Sequence, residues 1–332
     1  MKVVVTGGAG FIGSNLTDAL VAAGHDVLVI DNFTTGFRRH LDTAEAGGCE
    51  VVECDCYLEP ERLPELVAGA DAIVHLAANA DVRFGWDHTR RDLEQNVIAT
   101  HNVIEAARLG GVKRLLFSST GSVYGECALV PTPEDAPYPV QTSLYGASKS
   151  AAEGYIAAYA EAGRLSATVF RFVSLLGPRY SHGHVIDFVR QLHDDPGHLH
   201  ILGDGSQRKS YLHVSDCVAA MVAALEREPR FEVLNLGLDE FCTVNDSAGW
   251  ICGVLGADPE ISYSGGDRGW IGDNPFIYLD TARIRATGWE PKFGIRDSVE
   301  NTVEYLQANQ WLLAQSGKSA LSLGPVSLGP VE

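Results

Sequence analysis

A glycine-rich segment near the N-terminus constrains the fold more than any other part of the sequence. Gly7, Gly10 and Gly13 follow the strand-like residues 3–6 in a Gly-x-x-Gly-x-x-Gly spacing, and a helical pattern begins where the glycines end. In a strand–loop–helix unit the first glycine permits a tight turn, the second lets the backbone approach a pyrophosphate, and the third lets helix and strand pack closely. The free N–H groups and the positive end of the helix dipole favour an anion there. The segment therefore predicts a dinucleotide-binding loop.

Short apolar runs alternate with helical patterns along the first half of the chain, which predicts parallel strands joined by helices. The runs lack strict alternation with polar residues, as is typical of strands buried on both faces. We therefore predict an α/β fold, a Rossmann doubly wound parallel sheet with a smaller C-terminal α/β substrate-binding lobe. Strands are expected at 3–6, 26–30, 50–54, 72–76, 114–118, 167–172 and 233–236, and helices at 13–23, 94–109, 214–226 and 243–255.

The regular order of elements loosens after about residue 170, where loops rich in glycine, histidine and proline appear. We expect residues 1–170 to form the dinucleotide-binding Rossmann domain, with a later segment at about 210–240 returning to it. Residues 171–312 are expected to form mainly the substrate-binding lobe. Residues 313–332 contain Ser-Leu-Gly-Pro-Val twice in tandem, which predicts a low-complexity tail.

Composition and charge exclude several classes of protein. The net charge is −18, whereas nucleic-acid binding requires clustered Lys and Arg. The sequence contains no apolar run of about 18 residues and no recognisable secretion signal, so we expect a cytoplasmic protein that binds neither nucleic acid nor membrane. The seven cysteines form no matched Cys-x-x-Cys pairs, which argues against zinc. The histidines at 182, 184, 193, 198 and 200 are expected in a surface loop, and we predict no metal site.

An acidic residue marks the end of the second expected strand. Asp31 stands 18 residues after Gly13, where an acid accepts hydrogen bonds from the adenosine ribose hydroxyls and repels a 2′-phosphate. The sequence therefore favours NAD over NADP as the cofactor. Asp55 follows the third expected strand and is expected to cap the adenine in a similar way.

A tyrosine and a lysine provide the candidate chemistry. Tyr145 and Lys149 are four residues apart, which places them on one face of a helix. An ammonium beside a phenol stabilises the phenolate, so we expect Lys149 to lower the pKa of Tyr145 and Tyr145 to accept a proton from a substrate hydroxyl. Thr120 ends the strand before that helix, at the edge of the sheet where ligands bind. Its hydroxyl would hold the reacting oxygen.

Together these residues resemble the extended short-chain dehydrogenase/reductase family, and in particular its nucleotide-sugar 4-epimerases. The resemblance spans about residues 1–312 and is carried by many motifs in the same order. Beyond the glycine loop and Tyr145/Lys149, the matching motifs are His75-Leu76-Ala77-Ala78, Asn96, Ser118-Ser119-Thr120, Val123-Tyr124-Gly125, Leu176-Gly177-Pro178-Arg179, Gly203-Asp204-Gly205-Ser206-Gln207 and Gly288-Trp289-Glu290-Pro291.

The resemblance implies a reaction and a set of binding residues. Tyr145 would act as the base while carbon 4 of a UDP-sugar gives hydride to NAD; the 4-keto sugar would then turn over and take the hydride back on its other face. A homodimer, paired through the helices that begin near Asn96 and Tyr145, is implied as well. The cofactor-binding residues are then Gly7, Gly10, Phe11, Ile12, Gly13, Asp31, Asn32, Asp55, Cys56, Leu76, Ala77, Ala78, Asn96, Ser118, Tyr145 and Lys149. The substrate-binding residues are Arg83, Thr120, Gly121, Ser122, Ser174, Val185, Lys209, Tyr211 and Arg268.

Departures from the family pattern narrow the reaction. The related dehydratases and decarboxylases carry Glu at the position of Ser122, and dehydratases add Asp at the position of Gly121. Without that carboxylate the elimination lacks an acid–base group, so a dehydratase or decarboxylase ranks below an epimerase. A net oxidoreductase and a non-catalytic NAD sensor are further alternatives, and the retention of Tyr145, Lys149 and Thr120 argues against the sensor.

A second departure concerns the sugar. Ser174 aligns with a family Asn and looks like the hydroxyl substitution of uronate 4-epimerases. A 4-keto uronate loses CO₂ unless its carboxylate is held, which hydroxyls and Arg83 would do. We therefore favour UDP-glucuronate to UDP-galacturonate, with UDP-glucose/UDP-galactose or an N-acetylhexosamine pair as the alternative; on the alternative view Ser174 only packs and Arg83 binds diphosphate.

The diphosphate ligands also differ from the family. Lys209 aligns with a family Arg and has Arg208 beside it, and a lysine binds phosphate as a point charge without the bidentate fork. A second family Arg aligns with Trp270, two residues after Arg268, which we expect to take its role.

Overall fold

A sheet of seven parallel strands lies at the centre of the structure, a computed structural model that describes residues 1–80, 85–137, 140–269, 274 and 276–315. Within these ranges the strands are β1 (Lys2–Thr6), β2 (Asp26–Asp31), β3 (Glu50–Glu53), β4 (Ala72–His75), β5 (Arg114–Thr120), β6 (Ser166–Phe172), β7 (Ser174–Leu176), β8 (His198–Ile201), β9 (Arg208–Lys209), β10 (Tyr211–His213), β11 (Phe231–Leu236), β12 (Cys242–Thr243), β13 (Glu260–Tyr263) and β14 (Phe276–Ile277). The helices of the same ranges are α1 (Phe11–Ala22), α2 (Asp42–Ala46), α3 (Leu63–Val67), α4 (Thr89–Asp92), α5 (Ala99–Gly110), α6 (Leu144–Glu161), α7 (His184–Asp194), α8 (Val214–Leu225), α9 (Val244–Leu255), α10 (Ala282–Arg285) and α11 (Ile295–Ala308).

The strand order is β11-β6-β5-β4-β1-β2-β3, so that β1 lies between β4 and β2. Val3 pairs with Val27 on one side and with Ala72 on the other. Side chains of β1 alternate between two apolar clusters: Val3 and Val5 belong to one and Val4 to the other. Both faces of the sheet are therefore buried, which explains the uninterrupted apolar runs. The predicted Rossmann doubly wound parallel sheet is confirmed.

The seven predicted strands agree with the observed ones to within two residues at each end. One helix differs from its prediction. The pattern over 94–109 predicts a continuous α-helix, but Leu93–Ile98 form a π-helical turn before α5. Asn96 is buried within this turn, and single π-helical turns inside α-helices are frequent at functional sites.

The C-terminal lobe is built from three small sheets, with the orders β10-β7, β12-β9-β14 and β13-β8. The expected loop of histidines is wrong for four of the five. His184 and His193 lie in α7, whereas His198 and His200 lie in β8. The reason is the apolar face of α7, because the helix buries residues three and four apart, namely Val185, Ile186, Phe188, Val189 and Leu192.

Two later segments complete the main body. β11 pairs with β6 and forms the outer strand of the seven-stranded sheet. At the other end of the chain, Leu312 and Leu313 are buried in the apolar core, so packed structure extends into the expected start of the tail at 313. The tandem repeat itself lies outside the described residues. None of the helices in the described ranges is both long and apolar enough to cross a bilayer.

Candidate functional site

The glycine loop connects β1 to α1 in the way that its spacing predicts. Gly7 has φ +71°, a left-handed conformation that glycine adopts without strain. A Cβ at Gly7 would lie 2.6 Å from the amide nitrogen of Ala77, and a Cβ at Gly13 would lie 2.1 Å from the carbonyl oxygen of Gly7. A Cβ at Gly10 would meet a single atom within 4 Å, the Gly7 oxygen at 3.2 Å. The first and third glycines are thus required by packing, and the second leaves the loop open.

The first turn of α1 is left available for a ligand. Gly10 caps α1 without a side-chain hydrogen bond. Phe11 and Ile12 follow it, at the end of the helix where unbonded N–H groups and the dipole favour an anion. Phe11 packs edge-on against Tyr180, with ring centroids 5.5 Å apart, so the helix start is fixed to the C-terminal half of the chain. The cradle fits the pyrophosphate of a dinucleotide.

Asp31 ends β2 directly beside this loop. Its side chain is buried and accepts hydrogen bonds from the backbone N–H groups of Ala9, at 2.9 Å, and Phe33, at 2.8 Å. Burial raises the pKa of Asp31, and the two backbone donors oppose that rise. The carboxyl group therefore ties the glycine loop to the end of β2, with lone pairs remaining to accept from a ribose.

The neighbouring residues at the ends of β2 and β3 bond to one another. Asn32 donates from Nδ2 to Oδ2 of Asp55 at 2.7 Å. The other oxygen of Asp55 accepts from the backbone of Tyr57 at 2.8 Å, and Cys56 between them is buried. Asp55 thus shapes the turn after β3, at the position expected beside an adenine.

The end of β4 forms the opposite wall of the glycine loop. Leu76 donates its backbone N–H to the carbonyl oxygen of Thr6 at 3.0 Å, and Ala77, followed by Ala78, lies against Gly7. Burial is the main cause that lowers the pKa of the preceding His75 to about 3, so this ring is a neutral bridge within the core.

Asn96 fastens this wall to the helix that carries the tyrosine. Its Oδ1 accepts from the backbone of Asn79 at 2.8 Å, and its Nδ2 donates to the hydroxyl of Ser148 at 2.9 Å. Asn96 is thereby buried between the chain after β4 and α6. The geometry makes it a residue that orients both walls of the site.

The candidate catalytic residues meet at the end of β5. Ser143 caps α6 by accepting from the backbone of Gly146 at 3.0 Å, which places Tyr145 in the first turn. Lys149, one turn later, donates from Nζ to the carbonyl oxygen of Ser118 at 2.9 Å. Thr120 closes β5 and accepts from the backbone N–H of Ser122 at 3.1 Å.

Burial governs the acid–base character of this cluster. It raises the pKa of Tyr145, Asp92 raises it further, and a hydrogen bond with Thr120 lowers it. The expected lowering by Lys149 is not among these causes. The Nζ of Lys149 instead binds the Ser118 carbonyl and lies 4.8 Å from the ring centre of Phe117. Burial lowers the pKa of Lys149 itself to about 8, against the opposing charges of Glu153 and Asp92. Burial thus moves the two pKa values in opposite directions, upward for Tyr145 and downward for Lys149.

Two acidic residues beside the lysine escaped the sequence analysis. Glu153 is buried one helical turn after Lys149, accepts from the Ser119 hydroxyl, and pairs with Arg171 at 2.6 Å. Asp92 is also buried, and its Oδ1 accepts from Asn79 at 2.8 Å. The spacing Tyr-x₃-Lys-x₃-Glu, with its three residues on one helix face, was the available signal for Glu153.

The expected substrate residues come from the loops and small sheets of the lobe. Ser174 is exposed and lies opposite Tyr211 in the pair β7–β10. The Tyr211 hydroxyl is 3.3 Å from Nδ1 of His184, the first residue of α7, and the next residue, Val185, is fully buried. Ser174 therefore lies exposed on the β7–β10 pair, which contacts α7 through Tyr211 and His184.

The cations of the lobe have protein partners. Lys209 donates from Nζ to the carbonyl oxygen of Asn274 at 2.7 Å, and Arg268 pairs with Glu126 at 2.7 Å. Arg208, which the sequence placed beside Lys209, lies 4.0 Å over the ring of Phe276. Arg83 and Trp270 lie outside the described residues. Lys209 thus offers a positive charge that could bind a diphosphate. In this structure its ammonium group is hydrogen-bonded to the Asn274 carbonyl within the lobe.

Two contacts join the lobe to the catalytic cluster. Thr142, just before α6, donates to Oδ1 of Asn274 at 3.1 Å, the residue that also holds Lys209. A Cβ at Gly121 would lie 2.8 Å from the side chain of Ile277 in β14. The structure thus brings Thr120, Gly121, Ser122, Tyr145 and Lys149 to one corner and sets the lobe against it. Within the described ranges, no cluster of three or more metal-ligating side chains occurs.

Comparison with known proteins agrees with this arrangement. Residues 3–237 match the model of the NAD dependent epimerase/dehydratase family. A UDP-glucose 4-epimerase of Mycolicibacterium smegmatis is 32% identical over 319 residues, which cover 92% of this chain and 99% of that protein. A solved UDP-galactose 4-epimerase has a TM-score of 0.83 and 37% identity, over 94% of this chain and 100% of that one. The UDP-glucuronic acid 4-epimerase of Bacillus cereus, solved with UDP-glucuronic acid and NAD, has a TM-score of 0.84 and 25% identity, over 93% and 100%.

Proposed function

The chain belongs to the NAD dependent epimerase/dehydratase family, and from that premise we propose that it is a UDP-sugar 4-epimerase that converts UDP-glucuronate to UDP-galacturonate. The observation that carries the reaction type is the corner formed by Thr120, Tyr145 and Lys149 at the end of β5. Ser122 stands where an elimination would need a carboxylate. A dehydratase or decarboxylase is therefore ranked below an epimerase.

The residues of the site have separate roles in cofactor binding and in acid–base chemistry. Gly7, Gly10 and Gly13 would hold the pyrophosphate of NAD on α1, and Asp31 would bind its adenosine ribose. When bound, NAD would supply the hydride acceptor for this reversible oxidation. Tyr145 would take the proton from the hydroxyl at carbon 4 while Thr120 holds that oxygen, and the same Tyr145 would return the proton.

Lys149 would keep this exchange possible in a buried site. Burial opposes the phenolate of Tyr145, so a neighbouring positive charge is needed to stabilise it. Lys149 is fixed by the Ser118 carbonyl, and the carboxyl groups of Glu153 and Asp92 help to keep it charged. The 4-keto sugar would turn between two hydride transfers, which calls for firm binding of the nucleotide and loose binding of the sugar.

The choice of sugar rests on Ser174. Ser174 is exposed on β7, opposite Tyr211 of β10, and its hydroxyl would offer a donor to a carboxylate at carbon 6. Similarity to the Bacillus cereus uronate enzyme supports this choice. The second candidate is the UDP-glucose/UDP-galactose pair or its N-acetylhexosamine analogue, which the greater identity to the Mycolicibacterium smegmatis protein favours.

The test is a panel of UDP-glucuronate, UDP-glucose and UDP-N-acetylglucosamine, each incubated with purified protein without added NAD and followed by NMR of the products. We expect the 4-epimer of UDP-glucuronate to form fastest. A pentose or a 4-keto-6-deoxy sugar as the product would contradict epimerisation, and faster turnover of UDP-glucose would move the assignment to the second candidate.

A variant of Ser174 tests whether this residue causes the preference for UDP-glucuronate in the substrate panel. Ser174→Asn removes the hydroxyl and enlarges the side chain, and we expect kcat/KM for UDP-glucuronate to fall by about tenfold or more relative to UDP-glucose. An unchanged ratio of the two kcat/KM values would show that Ser174 does not distinguish the substituents at carbon 6 of the sugar.

We also propose that the chain works as a cytoplasmic homodimer, with residues 1–170 binding NAD and residues 171–312 mainly binding the sugar nucleotide. Leu93, Ile98 and Tyr155 are exposed on the two helical segments that the resemblance pairs, and their apolar surface is available to a second copy. Light scattering at micromolar concentration should give twice the chain mass of 35.7 kDa. A Leu93→Glu/Tyr155→Glu variant should give the monomer mass, whereas a wild-type monomer would sink the dimer proposal.

A further inference from the structure

Trp311 joins the C-terminal end of the described chain to the segment 36–40, which leads into the 3-10 helix Arg38–Leu41 and borders the proposed cofactor site. It lies in the 3-10 helix Gln310–Gln315, whose neighbours Leu312 and Leu313 are buried. The helix is anchored to α7, because Arg190 donates from Nε to the carbonyl oxygen of Leu313 at 3.1 Å. The indole is therefore held in place independently of the segment that it contacts.

Three successive contacts of Trp311 come from one short segment after β2. The ring of Phe37 is edge-on to the indole with centroids 5.2 Å apart, and the ring of His40 lies at 5.6 Å. The guanidinium of Arg39 lies 5.0 Å over the indole, within the range of a cation–π contact. Burial, with the charge of Arg179, lowers the pKa of His40 to about 4, so its ring packs as a neutral aromatic surface.

The same segment is in direct contact with the glycine loop. Phe37 donates its backbone N–H to the carbonyl oxygen of Ala9 at 3.1 Å. A Cβ at Gly36 would lie 2.9 Å from the backbone of Ala9, so the two chains touch. Ala9 in turn donates to the Asp31 carboxyl group. Trp311, Phe37, Ala9 and Asp31 thus form a continuous series of contacts.

We infer that Trp311 is a positioning residue for the dinucleotide: it holds the segment 36–40 against Ala9 and so fixes both the glycine loop and Asp31 in the binding conformation. This inference rests on the proposed NAD site. The ring contacts of Trp311 are with Phe37, Arg39 and His40, which belong neither to the catalytic corner nor to β5. Loss of Trp311 should therefore weaken cofactor affinity and leave the rate of the saturated enzyme largely unchanged.

Trp311→Ala is the direct test. We expect the dissociation constant for NAD, measured by titration calorimetry on nucleotide-free protein, to rise by about tenfold, in the range of ordinary coupling between sites. The NAD content of the purified variant, measured in an acid extract, should fall in parallel, while kcat at saturating NAD stays close to that of the wild type. Trp311→Phe keeps an aromatic ring against Phe37 and should give an intermediate affinity even if the alanine variant folds poorly.

Trp250→Ala is the matched control, because Trp250 in α9 also packs partly buried against the apolar core but lies in the lobe. It should lower the melting temperature without changing NAD affinity. Wild-type NAD affinity in Trp311→Ala would overturn the inference, as would an equal loss of affinity in Trp250→Ala, which would indicate general destabilisation. A wild-type protein that binds no NAD would instead overturn the cofactor assignment on which the inference rests.

Discussion

Tyr145→Phe should lower kcat by about a thousandfold, the size of effect that a positioned acid–base group contributes. The variant keeps the ring and loses only the hydroxyl that hydrogen-bonds to Thr120. Because Lys149 is held by the Ser118 carbonyl and not by Tyr145, the lysine should stay in place. Binding of NAD and of UDP-sugar should accordingly persist, so that kcat falls far more than KM changes. NMR of the epimer formed over hours gives the residual rate.

Tyr155→Phe provides the control for this prediction. Tyr155 lies on the same helix, is half exposed, and contacts His101 through its ring at 5.7 Å, so that the loss of its hydroxyl should leave turnover unchanged. If Tyr145→Phe kept wild-type turnover, another group would have to be the base. If it lost NAD binding as well, the tyrosine would be a binding residue first.

The raised pKa of Tyr145 shows why spacing alone gives an incomplete account of such a pair. Four residues of separation correctly place Tyr145 and Lys149 on one face of α6, as helix geometry requires. The pKa, however, depends on enclosure by residues from distant parts of the chain, Asp92 among them. The chemistry of the pair is set by the fold around it.

Elsewhere in the molecule too, features set by local sequence could be predicted, whereas contacts between distant parts of the chain could not. The strands of the sheet could be predicted closely because runs of apolar residues are local, and the glycine loop because its spacing is short. The Glu153–Arg171 pair joins α6 to β6, and the contact of Trp311 with Phe37 joins residues more than 270 positions apart in the sequence. Such contacts need the tertiary structure, as does the π-helical turn that aims Asn96.

Among the Gly→Ala substitutions that the structure suggests, Gly13→Ala should have the largest effect on the cofactor site. The added Cβ would lie 2.1 Å from the carbonyl oxygen of Gly7 and 2.7 Å from the Cα of Gly8. Both are backbone atoms, so the contact cannot be relieved by turning a side chain. Helix α1 has to move away from the loop, and the N–H groups at its start move with it.

Overpacking of this kind costs about 1–3 kcal/mol of stability, and we expect the free energy of unfolding to fall by that amount. NAD affinity should fall still more clearly, because the displaced helix start is the part that would bind the pyrophosphate. Urea unfolding measures the first quantity and titration with NAD the second, and the purified variant should carry little nucleotide.

Gly249→Ala separates steric conflict from helix propensity. Gly249 lies within α9, and a Cβ there would meet no atom within 4 Å. Since alanine favours a helix interior by about 1 kcal/mol over glycine, this variant should be slightly more stable and bind NAD normally. A Gly13→Ala protein that behaved like Gly249→Ala would mean that α1 can shift without cost to the loop. Gly13 would then affect only the intrinsic stability of α1. The close approach of α1 to Gly7 would not be needed for cofactor binding.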